Sequence, residues 1–174
     1  MQAYLRRATE ADMELLYQWA NDSVVRENSF SATEINYEEH QKWFRELLED
    51  PLCRQYIYVY DGEDIGQIRL TITDNNAEIG YSIQQDKRCM GHGNKMIRLI
   101  KQKVKDEFPH VSKLIAKVKP SNVASIYCFE KNQFEEKFQQ YEYAMKNYKQ
   151  CTGEMYNDEA DTVRGGGKNS LFGE

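Results

Sequence analysis

KRCMGHGNKM, residues 87–96, places two glycines one residue apart, behind an arginine and ahead of a run with helical periodicity. A strand, a glycine loop and a helix start, in that order, leave backbone N–H groups free at the helix N-terminus. The helix dipole is positive there, so an anion binds well. Gly91 and Gly93 let the main chain come close to a ligand, and Arg88 adds a charged donor. The pattern points to phosphate or pyrophosphate. A strand-to-helix turn that uses its glycines only for geometry is the plainer reading, and a bare glycine pair leaves it open. A Walker A loop is disfavoured, because Asn94-Lys95-Met96 follows Gly93 where Lys-Ser or Lys-Thr is needed. A dinucleotide loop is disfavoured too, since Met96 stands where the third glycine belongs and the loop does not follow the first strand of a βαβ unit.

Three strand patterns lead into the loop. RQYIYVY (54–60) alternates and ends at the Asp61-Gly62 turn. IGQIRLTIT (65–73) sets Ile68, Leu70 and Ile72 on one face and Gln67, Arg69 and Thr71 on the other. AEIGYSI (77–83) sets Ala77, Ile79, Tyr81 and Ile83 against Glu78 and Ser82. Upstream, AYLRRAT (3–9) reads as a short strand. Thr9 and Asp12 then form a capping-box start for a helix carrying Leu15, Leu16 and Trp19 and ending near Asn21. YEEHQKWFRELLED (37–50) is a second helix, stopped by Pro51.

After the loop, NKMIRLIKQKVKDEF (94–108) is amphipathic through Ile97, Ile100, Val104 and Phe108. SKLIAKVK (112–119) is a strand, SNVASIYCFEKN (121–132) a helix, and residues 134–149 a closing hairpin with a weakly marked turn. The stretch 150–174 is polar and aperiodic with a triple glycine, which predicts a mobile tail. The expected organisation is a domain over 1–149 and a polar tail over 150–174.

The bulk properties agree with a folded globular domain. The chain has 174 residues, 40% hydrophobic and 12% aromatic, which argues against wholesale disorder. A net charge of −5 argues against a general nucleic-acid binder. No apolar run approaches the roughly 20 residues that span a membrane. The opening MQAYLRRATEADMELL lacks the apolar core of a secretory signal. Cys53, Cys89, Cys128 and Cys151 are scattered without a CxxC, so structural zinc and a disulfide framework are not expected. The expectation is a cytoplasmic protein with reduced thiols, no metal, and no membrane or nucleic-acid partner.

RCMGHG (88–93), placed after AEIGYSI and before an amphipathic helix, resembles the pyrophosphate loop of the GNAT-type acetyl-CoA-dependent N-acetyltransferases. NVASIYCFEKNQF (122–134) is similar to that family's Asn-led helix segment, and the matches span about residues 3–148 in order. The resemblance implies a single mixed α/β domain with a mostly antiparallel sheet of about seven strands and about four helices, splayed between the fourth and fifth strands. It implies acetyl-CoA as cofactor. Arg88, Gly91, His92 and Gly93 would hold the pyrophosphate and Asn94 would open the helix. Ser82 and Ile83 would offer backbone groups to the pantetheine arm, and Asn122 and Ser125 would approach from the far side.

Two positions depart from the family pattern. Phe129 stands where a tyrosine often protonates the leaving thiolate, and Tyr127 lies about 200° away round the helix. Gln133 replaces a glycine before Phe134.

Direct transfer to an amine needs oxyanion donors, a base for the amine proton and an acid for the thiolate. Glu78 and His40 are the candidate bases and Tyr127 the candidate acid. Glu78 is as readily a strand residue paired with Arg69, and His40 a solvated helix residue. Cys89 lacks a His–Asp pairing and reads as a bystander. The stripe Lys95, Arg98, Lys101, Lys103 and Lys105 reads as a solvated helix face from which one or two members would touch a cofactor phosphate.

The stretch 19–44 supplies the acceptor side and interleaves Asn, Arg, Ser, Glu and His with aromatics. Trp19, Asn21, Asp22, Val25, Arg26, His40, Trp43 and Phe44 form a pattern similar to the acetyltransferases of nucleotide-linked 4-amino-4,6-dideoxy sugars. A looser similarity is to enzymes that acetylate ribosomal-protein N-termini. The first resemblance implies a nucleotide-linked amino sugar as the small-molecule substrate, with Asn21, Arg26 and Trp43 binding it, in a monomer or homodimer. A coenzyme A-binding module without catalysis is the remaining alternative, kept open by Phe129.

Overall fold

The computed structural model describes residues 2–137, all within one compact unit. Its sheet runs β1 (Ala3–Arg7), β2 (Cys53–Tyr60), β3 (Glu63–Thr73), β4 (Asn76–Ile83) and β5 (Lys113–Ile115) in spatial as well as chain order. The first three pairings are antiparallel and the last is parallel. The five α-helices are α1 (Met13–Ala20), α2 (Ser23–Asn28), α3 (Tyr37–Glu49), α4 (His92–Glu107) and α5 (Val123–Lys131).

Two cores form because the strands alternate. On one face, Tyr56, Tyr58, Ile68, Leu70 and Ile79 pack with Met96, Ile97, Ile100 and Val104 of α4 and Phe129 of α5. On the other, Ile57 and Val59 meet Leu16 and Trp19 of α1 and Phe44 of α3, with Leu48 packed against them. Each fully buried Ile, Leu or Phe contributes roughly 1.5–3 kcal/mol of transfer free energy. These contacts hold the helices in place on both sides of the sheet.

The sequence expectation of about seven strands and four helices is corrected to five and five among the described residues. The expected closing hairpin lies over 134–149; residues 138–149 are outside the described residues, and 134–137 carry no strand. The fifth helix is α2, which the sequence reading passed over as linker. The Asp22 carboxylate caps it by accepting from the Val25 N–H at 3.0 Å. At the N-terminus the capping box forms as expected, with the Thr9 N–H donating to Asp12 Oδ2 at 2.8 Å. It opens a 3₁₀ turn (Glu10–Asp12), and α1 begins only after that.

The strand expected over 112–119 shrinks to three residues, and this matters for the site. Lys113, Leu114 and Ile115 pair with Asn76, Ala77 and Glu78, where pairing ends although β4 continues to Ile83. Among the described residues, 79–83 therefore have no strand partner on the β5 side. This is the expected splay between the fourth and fifth strands.

Candidate active site

The loop after β4 folds through a 3₁₀ turn (Gln85–Lys87) into α4, which begins at His92, two residues ahead of the sequence expectation. Gly91 is the N-cap at φ 80°, a left-handed conformation that glycine adopts without strain. The first intrahelical donor is the Lys95 N–H to the Gly91 carbonyl at 3.3 Å. The N–H groups of His92, Gly93 and Asn94 thus have no intrahelical acceptor.

The two glycines differ in purpose. A Cβ on Gly91 would meet nothing within 4 Å, so the space over the helix start is open. A Cβ on Gly93 would sit 3.1 Å from Cys128 Sγ and 3.4 Å from the Tyr81 hydroxyl. Gly91 leaves room for a ligand, and Gly93 lets α4 approach α5 and β4.

Several expected ligand-holding side chains are committed elsewhere. His92 is buried; its ring packs edge-on against Tyr60 at 4.6 Å and Nδ1 lies 3.3 Å from the Tyr58 hydroxyl. Burial, with the Lys95 and Lys87 charges, pushes its pKa down. Burial raises the Tyr58 phenol to about 12. Only the His92 backbone faces the helix start. Asn94 Oδ1 accepts from Asn132 Nδ2 at 3.2 Å and ties α4 to α5.

Arg88 is not a free donor. Its Nε donates to the Ile83 carbonyl at 2.9 Å and its Nη2 to Asp22 Oδ1 at 2.6 Å. Burial works to raise the Asp22 pKa, but Arg88 and the α2 N–H groups outweigh it and hold the carboxyl low. Arg88 thus ties the loop to the end of β4 and to the start of α2.

On the far side, Asn122 caps α5 by accepting from the Ser125 N–H at 3.1 Å, and the Ser125 hydroxyl donates to the Tyr81 oxygen at 3.1 Å. Phe129 is buried edge-on against Tyr81, with centroids 5.7 Å apart. Tyr127, the expected acid, is 56% exposed, with Lys131 Nζ 5.5 Å from its ring centroid. The phenol next to the splay is Tyr81, whose pKa is raised, chiefly by burial. The inward face of the 77–83 pattern carried that signal.

The acceptor-side expectations are revised as well. His40 is 2% exposed, packed among Tyr17, Trp43 and Phe44, with neither ring nitrogen in hydrogen-bond geometry. Burial lowers its pKa; the nearby Met13 carbonyl and Glu14 charge oppose this in part. Both of its ring nitrogens are buried in this arrangement. Glu78 pairs with Lys117 at 2.7 Å, both side chains about half exposed, and not with Arg69.

Asn21 bonds both backbone groups of Ile35, at 2.9 and 2.8 Å, and so closes the 22–34 segment. Arg26 donates to the Ser31 and Thr33 carbonyls and to the Ser29 hydroxyl, so it braces its own loop. Trp43 alone of these three stays exposed, at 40%, with the Arg69 guanidinium 5.3 Å above its ring.

Trp43 and Arg69 line a cleft of ≈ 360 Å³ with Glu46, Leu47, Asp50, Cys53 and Thr71. Its floor on β3 faces the β4 residues Glu78 and Gly80, which stand opposite Thr71 and Arg69. Arg69 was legible only as the polar face of the 65–73 strand. A second cleft of ≈ 690 Å³, between α1 and the β4–α4 loop, is lined by Gln18, Trp19, Asn21, Asp22, Gln84, Gln85 and Asp86. Among the described residues no group of three or more His, Cys, Asp or Glu side chains is placed to hold a metal, and no helix is long and apolar enough to cross a membrane.

The acetyltransferase (GNAT) domain family matches residues 2–135. The chain belongs to this family, whose members move acetyl from acetyl-CoA to an amine. The aminoglycoside N(6')-acetyltransferase type 1 of Klebsiella pneumoniae is 24% identical over 147 residues, 75% of this chain and 73% of that protein. The crystal structure of aminoglycoside acetyltransferase AAC(6')-Ib in complex with coenzyme A is similar at 25% identity and TM-score 0.69, over 78% of this chain and 86% of that one. Spermidine N-acetyltransferase from Vibrio cholerae, solved with CoA and spermine, shares the fold at TM-score 0.71 and 17% identity, over 79% and 83% of the two chains.

Proposed function

We propose that this chain transfers acetyl directly from acetyl-CoA to the primary amine of a small amino sugar, with a nucleotide-linked amino-deoxy sugar as the acceptor. The observation that carries the reading is the β4 edge over 79–83, unpaired among the described residues, followed through the loop by the open helix start of Gly91. The residues fit coenzyme A: no side chain of Gly91–Asn94 covers the free N–H groups, and a strand edge without a partner suits an amide-bearing arm. The N–H groups of His92, Gly93 and Asn94 hold the pyrophosphate while Arg88 keeps the loop in shape. The Ile83 backbone, on the open edge, would hold the pantetheine arm, whereas the Ser82 backbone groups are turned to Gln67 of β3; Asn122 and Ser125 would shape the far wall. When bound, acetyl-CoA supplies an activated thioester acyl group.

Glu78 is the proposed base. It lies on the face of β4 that adjoins the Trp43 cleft, and its exposed pairing with Lys117 is weak enough to exchange for an amine. Arg69 stacked on Trp43, with no acidic partner among the described residues, suits an acceptor that also carries a phosphate or a planar base. Glu46 and Asp50 in the same cleft suit its ammonium form. A polycationic acceptor such as an aminoglycoside is the second reading, favoured by Asp22 and Asp86 in the larger cleft. The proposal places this activity in a domain over 1–149, in the cytoplasm, as a monomer or homodimer.

Free-thiol release from acetyl-CoA tests the reading against UDP-4-amino sugars, aminoglycosides, spermidine and N-terminal peptides. Turnover with the nucleotide sugars supports the first reading. Turnover with aminoglycosides or spermidine alone replaces it with the second, and turnover with peptides alone refutes both.

A further inference from the structure

Three polar side chains lie side by side under α1 and α3, and their amide and hydroxyl groups have no part in the roles above. Gln55 on β2 is 5% exposed and Ser82 on β4 is 8% exposed, with Gln67 of β3 between them. Gln55 Nε2 donates to Gln67 Oε1 at 2.6 Å, and Gln67 Nε2 donates to Ser82 Oγ at 3.1 Å. A side-chain amide has one accepting end and one donating end. In the orientation the structure gives, the Gln67 carbonyl accepts from Gln55, its NH₂ donates to Ser82, and the Ser82 oxygen accepts. The Ser82 hydrogen then has no acceptor among the described residues, and a buried donor left unpaired is costly.

The position of that hydroxyl gives it a use. Ser82 lies in the part of β4 that β5 leaves unpaired. It shares a sheet face with Gly80, over which a built Cβ meets nothing within 4 Å. A fixed neutral donor beside open space suits an oxygen that gains negative charge during acyl transfer. It does not suit the attacking amine, whose lone pair must stay free.

We infer that the Gln55–Gln67–Ser82 relay holds the Ser82 hydroxyl as a hydrogen-bond donor to the acyl carbonyl oxygen of acetyl-CoA bound along the open edge of β4. Gln67 and Gln55 are positioning residues that set the polarity of the chain. The inference rests on the proposed acetyl transfer and adds a side-chain donor to it.

The test is infrared spectroscopy of ¹³C-acetyl-CoA bound to the full chain without an amine. The carbonyl stretch should lie below its free value in the wild type, return toward it in Ser82→Ala, and stay low in Ser82→Thr. Gln67→Glu should raise it as well, because a carboxylate only accepts and turns the Ser82 proton back toward β3. On an amine that turns over, kcat should fall about 100-fold in Ser82→Ala, the effect of losing one such donor, with KM for acetyl-CoA unchanged. Thermal denaturation checks that each variant is folded.

An unchanged stretch in folded Ser82→Ala overturns the donor role. A change in Ser82→Ala without one in Gln67→Glu overturns the relay. A wild type that fails to bind acetyl-CoA in calorimetry overturns the relay together with the proposed function. Silence across the amine panel, with the stretch behaving as expected, overturns only the acceptor assignment.

Discussion

Gly93→Ala isolates the packing purpose of the second glycine. The added methyl would lie 3.1 Å from Cys128 Sγ and 3.4 Å from Tyr81. The first contact is tighter than a relaxed carbon–sulfur approach, and both neighbours sit on elements anchored by the core, so α4 and α5 must part slightly. Overpacking of this kind costs about 1–3 kcal/mol. Replacing glycine by alanine in a helix returns up to about 1 kcal/mol, and less in the first turn. The expected net loss is about 1 kcal/mol, or roughly 2–4 °C in Tm for a chain of this size. Trimming the sulfur should relieve it. In Gly93→Ala/Cys128→Ala the two changes should be non-additive by about 1 kcal/mol in the direction of rescue. Urea denaturation of the four species measures this. Additive energies, or a Gly93→Ala variant as stable as the parent, would refute the view that Gly93 is a packing residue.

Gly91→Val should keep the fold at a cost of about 1–2 kcal/mol for a left-handed non-glycine residue, yet lose coenzyme A binding in calorimetry. Unchanged affinity would mean that no phosphate sits at the helix start. Asp22→Ala should weaken coenzyme A binding nearly as much as Arg88→Ala, because the loop depends on their pair. If only Arg88→Ala weakens it, Arg88 binds the ligand directly. Tyr127→Phe should leave kcat within about twofold, as expected for an exposed residue away from the chemistry; a larger loss would restore Tyr127 as the acid.

Stability should depend on pH through His40. Its folded pKa is lowered, so the unfolded chain binds the proton more readily. The neutral ring's contribution is complete above about pH 6.5 and lost as pH falls through the folded pKa. Tm measured from pH 7.5 to 5 should drop, and His40→Phe should flatten the drop. His92 is shifted in the same direction and leaves a remainder. An equal drop in His40→Phe would refute the assignment.

Element types were legible wherever local chemistry decides them. Alternation made β2, β3 and β4 strands, three- and four-residue spacing made α3 and α4 helices, and the 91–93 glycines after β4 marked the helix start and with it the family. What was not legible depends on partners distant in sequence. Arg88 looks like a phosphate ligand until Asp22, 66 residues away, takes its guanidinium. His40 looks solvated on its helix until Tyr17 of α1 closes over it. Tyr127 is the acid the sequence offers, and only the tertiary structure shows it exposed on α5 while Tyr81 of β4 lies against the splay. The same holds for the Gln55–Gln67–Ser82 row. Each residue alternates correctly within its own strand, but three strands had to align in register before their side chains joined. The sequence determined the elements and the family because those follow from neighbours within a turn or two. Tertiary structure decided which polar side chains are free to act, because a hydrogen bond to a distant residue removes a group from chemistry whatever its local pattern suggests.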